Sequence, residues 1–172
     1  MPGTIAVLDL SQSRGMPEPW IRRVLKLCLR LYGPAGKKTG KKQRAARPVL
    51  RAAEISVLLT DNRGIRRLNA AYRGQNRATD CLSFPAFPAA EIGGLLNSKS
   101  RAPVTLGDIV VSVPYARKEA RRLKIPFPRE MAWLLAHSFL HLMGHDHRTA
   151  REEAGMRLLE ESYLKEVFQK EP

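Results

Sequence analysis

All four histidines of this 172-residue chain lie in one short segment, HSFLHLMGHDH, which runs from His137 to His147. His137 and His141 are four residues apart, so on a helix they lie on the same face, one turn apart. That spacing presents two imidazole nitrogens to one ion, at about 2.0–2.1 Å from each. Gly144 is suited to end the helix in the left-handed conformation, and the turn brings His147 back toward the same ion. The segment therefore predicts a metal site formed by His137, His141 and His147.

The predicted metal is zinc, one Zn²⁺ per chain. Three neutral imidazoles leave the fourth tetrahedral position open for water, which is typical of catalytic zinc sites. Apolar residues surround the histidines, and burying imidazoles without partners costs a few kcal/mol, which a metal offsets. The alternative is that each histidine is a core residue bonded to a backbone carbonyl. Histidine ligands also suit nickel and copper, so ligand type alone does not select zinc.

The spacing His-x3-His-x2-Gly-x2-His is also that of the metzincin peptidases, in which a glutamate follows the first histidine. Ser138 occupies that position here, and serine cannot replace the carboxylate as general base for peptide hydrolysis. No clear Met-turn follows, although Met156 lies downstream. A metzincin-like zinc peptidase is therefore the weaker enzyme hypothesis.

The charge of the chain favours a polyanionic partner. Lysine and arginine total 30 against 16 acidic residues, a formal net charge of +14. The excess is regional, because residues 19–53 contain no acidic residue and many basic ones. Such a surface attracts nucleic acid at long range. The alternative is a solvated loop that only aids solubility. Aromatic residues make up only 6% of the chain, so we expect no large base-stacking platform.

The pattern of elements predicts an α+β fold with a small mixed sheet. Predicted strands cover residues 4–10, 54–60, 80–84 and 106–113. Predicted helices cover residues 17–31, 61–72, 114–123 and 128–143, and a last helix begins at Thr149, where Glu152 completes a capping-box pattern. Residues 85–103, with their prolines and adjacent glycines, predict a surface loop. The histidines thus fall on a buried helix and the turn that follows it.

Length and composition predict one domain, residues 1–172, with a basic flexible insert at about 33–48. No apolar run approaches the roughly 18 residues that span a bilayer, and no secretory signal is evident, so we expect a cytoplasmic protein without a membrane partner. Cys28 and Cys81 lie far apart and predict ordinary buried residues, not a disulfide framework.

Three ordered blocks resemble the YbeY family of ribosomal RNA maturation factors. HSFLHLMGHDH resembles the family signature HGxLHLxGYDH. LNAAYRGQNRATDCLSFP, residues 68–85, resembles its LNxxYR block with the following TDVLSFP, and LGDIVVS, residues 106–112, resembles its LGDI strand. The resemblance covers roughly residues 54–147. This chain departs from the pattern at Ser138, in place of glycine, at His145, in place of tyrosine, and at Cys81, in place of valine.

The resemblance implies a metal-dependent, single-strand-specific endoribonuclease that acts in 3′-end maturation of small-subunit ribosomal RNA and in ribosome quality control. It implies a mixed four-stranded sheet and one metal held by three histidines, which by position are His137, His141 and His147. The family's important arginine falls on Arg73. The implied partners are ribosomal RNA and the small ribosomal subunit, with ribosome-associated proteins as further candidates. The rival class is a non-catalytic ribosome-assembly factor with a structural zinc.

The sequence leaves the roles of Arg73 and Asp146 open. Arg73 is predicted to stabilise negative charge on a phosphodiester through its planar fork of donors, and the alternative is an ordinary surface arginine at a helix end. Asp146 either orients a ligand histidine or acts as an acid–base group, or else it only caps the next turn. Asp80 and Asp108 are predicted to be structural, bonding backbone donors at strand ends.

Overall fold

The computed structural model describes residues 4–11, 15–32, 52–98, 100 and 102–169. These residues form an α+β fold, as predicted. Its elements in chain order are β1 Ile5–Asp9, α1 Glu18–Leu31, β2 Ala53–Thr60, α2 Asn62–Arg73, β3 Cys81–Pro85, α3 Ala89–Asn97, β4 Val104–Ser112, α4 Val113–Leu123, α5 Phe127–Leu142 and α6 Ala150–Phe168. The basic insert at about 33–48 lies outside the described residues and stays a prediction.

The four strands form one mixed sheet in the order β1-β2-β4-β3. β1, β2 and β4 run parallel, whereas β3 is antiparallel to β4 with Leu82 opposite Val110. Alternate residues of β4 point to opposite faces of the sheet. Ile109 belongs to the large core with α1, α5 and α6, whereas Val110 packs in a small cluster with Ile65 of α2. Helices therefore cover both faces, and most of the core lies on one of them.

Helix α5 is the central helix of the large core. It contacts β3, β4, α1, α4 and α6. Most of its apolar residues, including Met131, Leu134 and Phe139, are fully buried, and they lie on several sides of the helix. A helix that is apolar nearly all round is stable only where other elements surround it. This burial holds the helix that carries His137 and His141 in one orientation.

The predicted loop at residues 85–103 is wrong, because it contains helix α3, Ala89–Asn97. Gly93 and Gly94 each weaken a helix by about 0.8–1 kcal/mol relative to alanine, and they led to the loop prediction. Ile92 is 4% exposed in the core. Burying an isoleucine side chain contributes about 1.5–3 kcal/mol, which offsets the cost of the glycines. Tertiary packing therefore overrides local preference in this segment.

The predicted helix starts are confirmed at two caps. Asp61 Oδ1 accepts a hydrogen bond from the Gly64 backbone N–H at 2.6 Å. Thr149 Oγ1 accepts from Glu152 N at 3.2 Å, and Glu152 Oε2 accepts from Thr149 N at 2.9 Å. This capping box fixes the start of α6 and so the end of the connection from α5 that carries His147.

None of the described helices combines the length and apolar character needed to cross a membrane.

Candidate metal centre

His137 and His141 lie one turn apart on α5 with their side chains directed to the same point. Their Nε2 atoms are 3.1 Å apart, and their rings meet edge to face with centroids 4.6 Å apart. Two nitrogens bound at 2.0–2.1 Å to one tetrahedral ion would be about 3.3 Å apart. The pair is therefore already spaced as two ligands of one ion.

The turn after α5 brings the third histidine to this pair. Gly144 has φ +79°, the left-handed conformation that the sequence predicts, and its N–H donates to His141 O at 3.0 Å. The ring of His147 then lies 5.2 Å from that of His141 and 5.7 Å from that of His137. One ligand atom from each of the three histidines lies within 4.8 Å of the others. Within the described ranges, no other three metal-ligating side chains converge in this way.

Glu160 of α6 orients His137 from behind. His137 Nδ1 and Glu160 Oε1 are 2.8 Å apart, and Glu160 Oε2 accepts from the indole Nε1 of Trp133 at 2.9 Å. The indole also stacks on His137, with centroids 4.9 Å apart. Sequence reasoning missed Glu160. The sequence pattern that could have identified it is a carboxylate on the apolar face of the last predicted helix, between Met156 and Tyr163, which are both buried.

The backbone orients His141 in the same way. His141 Nδ1 lies 2.9 Å from the carbonyl oxygen of His145, which accepts its proton. With both Nδ1 atoms of the pair donating, each Nε2 carries a lone pair directed at the other. Two lone pairs at this distance repel unless a cation lies between them. Burial and neighbouring His137 lower the pKa of His141, which keeps this imidazole neutral. The donor set therefore fits a divalent cation.

His145 does not join the three-histidine cluster. Its Nε2 lies 3.1 Å from the hydroxyl of Tyr32, and burial lowers its pKa. Asp146 contacts the backbone of the turn, with Oδ1 accepting from His147 N at 2.9 Å and Oδ2 paired with Arg148 at 2.6 Å. The bond from His147 N is the main cause that holds the pKa of Asp146 below its usual range. These contacts favour a role in shaping the turn.

Two departures from the family pattern contact each other. Ser138 is fully buried, and its hydroxyl faces the thiol of Cys81 on β3. Burial, with a smaller contribution from Asp80, raises the pKa of Cys81 to about 12, while Ser138 acts weakly in the opposite direction. The thiol is therefore protonated at neutral pH and serves as a packing group.

The histidine cluster opens into a cleft of about 400 Å³ that also contains Arg73. Arg73 lies at the end of α2, and its Nη2 donates to the Ser83 carbonyl at 3.4 Å. Arg77 lines the same cleft. Asp80 also lies there, with Oδ1 accepting from Cys81 N at 2.7 Å and from Thr79 Oγ1 at 2.9 Å, which matches its predicted structural role. The fold thus brings the arginine chosen from sequence to the cleft of the three histidines.

The fold and site together define an α+β protein in which three histidines that could hold one metal ion line the same cleft as Arg73 and Arg77. The family model described as Endoribonuclease YbeY matches residues 29–168, and the chain belongs to this family. The family resemblance drawn from the three sequence blocks is thereby confirmed.

Three curated relatives, each named Endoribonuclease YbeY, illustrate the match. The chain is 43% identical to the Rhodopseudomonas palustris (strain HaA2) relative over 112 residues, which cover 65% of this chain and 57% of that one. It is 43% identical to the Myxococcus xanthus relative over 117 residues, which cover 68% of this chain and 37% of that one. It is 42% identical to the Rhizobium meliloti relative over 121 residues, which cover 70% of this chain and 68% of that one. The match thus spans less than two thirds of the first two relatives.

A solved structure shares the fold. The solution structure of TM1509 from Thermotoga maritima superposes with a TM-score of 0.59 at 21% identity, covering 97% of this chain and 91% of that one. The similarity extends over nearly all of both chains, so the arrangement of strands and helices around α5 is that of a known fold.

Proposed function

We propose that this protein is a zinc-dependent, single-strand-specific endoribonuclease that acts in 3′-end maturation of small-subunit ribosomal RNA and in ribosome quality control. One observation carries the proposal: three histidines spaced for one metal ion open into the same cleft as Arg73. The name shared by the curated relatives supports RNA as the substrate.

The residues of this chain divide the work of metal binding and charge stabilisation. His137, His141 and His147 would hold the ion, the first two through the Nε2 atoms that their Nδ1 partners leave free. A divalent ion in such a site supplies Lewis-acid polarisation of a phosphoryl oxygen and activates water at neutral pH. Trp133 donates to Glu160, and Glu160 contacts Nδ1 of His137. These contacts hold the His137 ring in its metal-binding orientation before the substrate binds.

Arg73 is proposed to bind the phosphate whose bond is cut. Within the described part of the chain, its guanidinium makes one hydrogen bond, the 3.4 Å contact with Ser83 O, so most of its five N–H donors remain for a ligand. A planar fork suits two oxygens of a phosphodiester, and its charge stabilises the extra negative charge of the transition state. Arg77 in the same cleft extends the positive surface for neighbouring phosphates.

The basic character of the chain supports binding to ribosomal RNA on the small ribosomal subunit, with ribosome-associated proteins as further partners. Phosphate contacts would dominate, so affinity should fall steeply as salt rises. This role would place the protein in the cytoplasm. The peptidase hypothesis is weakened further, because Ser138 is fully buried against β3 and supplies no group to the cleft.

The test is cleavage of a labelled single-stranded RNA by metal-quantified protein, beside the same RNA annealed to its complement. The His141→Ala variant and a chelator-treated sample are the controls, and both are expected to lack the metal ion. Cleavage of the single strand that both treatments abolish supports the proposal. Equal cleavage by wild type and His141→Ala would contradict it, and absence of cleavage by both would favour the non-catalytic assembly factor.

A further inference from the structure

A second cleft, of about 620 Å³, adjoins the histidine cluster on its other side. It lies between α4, α5 and α6, and His137, His147 and Asp80 line both clefts. Its apolar lining comes from Leu123, Ile125, Trp133, Met156 and Leu164. A flat, partly apolar group bound here would therefore touch the metal centre at one end.

The charge of this second cleft is opposite to that of the whole chain. Its lining includes three arginines and six acidic residues, namely Asp80, Glu119, Glu130, Glu153, Glu160 and Glu161. Two of the arginines are already paired, Arg122 with Glu119 at 2.7 Å and Arg157 with Glu153 at 3.1 Å. A phosphate would be repelled here, whereas a group that donates hydrogen bonds would be attracted.

Glu130 supplies an acceptor that has no partner of its own. The residue is 4% exposed and lines the cleft. Among the described residues its carboxylate has no hydrogen-bond partner, and its oxygens are not among the fully enclosed polar atoms, so they face the cleft. A carboxylate on a largely buried residue is stabilised by a hydrogen-bond donor, and here only a group inside the cleft can supply one. Burial, with smaller effects from Asp80 and Glu119, also raises its pKa. Both facts indicate a carboxyl group held ready for a ligand.

The position of Glu130 relates it to the reaction site. It lies two helical turns before His137 on α5, about 10 Å along the helix axis. No three metal-ligating side chains converge around it within the described residues, so a second metal ion does not explain the cluster. A nucleotide with its phosphate at the metal centre could extend its base along α5 toward Glu130.

We propose that this cleft binds a nucleobase with an exocyclic amino group, next to the cleaved phosphodiester, and that Glu130 accepts the hydrogen bond from that amino group. The proposal rests on the proposed function in so far as the substrate is RNA. Carboxylates read cytosine in this way through its N4 amino group. Uracil has no amino group. Its one donor on this edge, N3–H, lies between two carbonyl oxygens that repel a carboxylate, so uracil should bind less tightly. Each cleft then binds a different part of the substrate: phosphates bind in the Arg73 cleft, and a base binds in the Glu130 cleft.

The first test measures nucleoside binding without cleavage. Adenosine, cytidine and uridine are titrated into the metal-loaded protein, and the indole N–H resonance of Trp133 is followed by NMR. Adenosine and cytidine should bind roughly fivefold or more tightly than uridine. Glu130→Gln should remove this preference, whereas Glu153→Gln, the same charge change at the exposed rim, should keep it. Leu123→Trp, at a half-exposed wall position, should weaken all three nucleosides.

Equal binding of the three nucleosides, or the same preference in Glu130→Gln as in wild type, would overturn the proposal. Mapping the cut sites in a mixed-sequence single-stranded RNA then separates the two hypotheses. Amino-bearing bases should flank the cuts of wild type but not those of Glu130→Gln. Nucleoside preference without any RNA cleavage would overturn the nuclease assignment and leave the base site standing. RNA cleavage without base preference in either assay would support the nuclease assignment and overturn the base site.

Discussion

Glu160 and His137 join the last helix to the three-histidine cluster. Oε1 of Glu160 on α6 lies 2.8 Å from Nδ1 of His137 on α5, and the same carboxylate is held by the indole of Trp133. Helix α6 provides no ligand of the histidine cluster, yet its carboxylate determines which ring nitrogen of His137 is left free. Metal binding by these histidines would therefore be coupled to the docking of α6 against α5.

Glu160→Gln should weaken metal binding by about 10–100-fold, because it removes the charged acceptor that orients His137. Competition between the protein and a metal chelator measures the affinity directly, without reference to nuclease activity. Glu161→Gln is the matched control, because it makes the same substitution at an exposed residue one position further along α6. Equal affinities for the two variants would show that Glu160 has no part in positioning His137.

His145→Ala should keep the metal, whereas His141→Ala should lose it. The side chain of His145 bonds Tyr32, and only its backbone carbonyl serves the site, by accepting from His141 Nδ1. Alanine retains that carbonyl. Metal content of the purified variants, measured by mass spectrometry, distinguishes the two positions. A metal-free His145→Ala protein would mean that His145 is itself a ligand and that the assignment of His147 needs revision.

Arg73→Ala should lower the rate of RNA cleavage by about 10²–10³-fold and leave metal content unchanged, because the guanidinium is proposed to act on the transition state. Arg67→Ala removes an exposed arginine from the same helix and should reduce the rate only slightly. The comparison is made at one salt concentration, since loss of any positive charge weakens RNA binding. A similar loss of cleavage rate in both variants would show that Arg73 contributes only general positive charge for RNA binding.

Gly144→Ala should destabilise the fold and weaken metal binding together. A left-handed conformation costs a non-glycine residue about 1–2 kcal/mol, and the added Cβ would lie 3.0 Å from Ala89 Cα. The turn that positions His147 would have to shift. Gly74 also has a positive φ, +66°, but nothing lies within 4 Å of an added Cβ there, so Gly74→Ala should lose stability without losing metal. Thermal unfolding with and without metal checks both variants.

Short-range patterns predicted much of this molecule. The i, i+4 histidines, the left-handed Gly144 and the capping box at Thr149 each depend on residues within one or two turns of each other. Such features follow from helix geometry and backbone sterics, which do not require the rest of the fold. The strands of the mixed sheet were likewise visible as short apolar runs between turn residues.

Helix α3 and the contacts of Glu160 and Glu130 were decided by tertiary packing. Local composition favoured a loop at residues 85–103, whereas the packing of Ile92, Leu95 and Leu96 against the core stabilises the helix. No pattern within α6 reveals that Glu160 meets His137, because the contact depends on how α6 lies against α5. The isolation of Glu130 in a cleft likewise exists only after three helices have packed around it.

The sequence by itself therefore determined the three histidines and the helix and turn that bring them together, because they are neighbours along the chain. It pointed to Arg73 only through the family resemblance. That Arg73 shares a cleft with the histidines was decided by the packing of α2 and of α5 against β3. The physical reason is separation along the chain: residues more than sixty positions apart meet only when the sheet and its helices bury their apolar faces together.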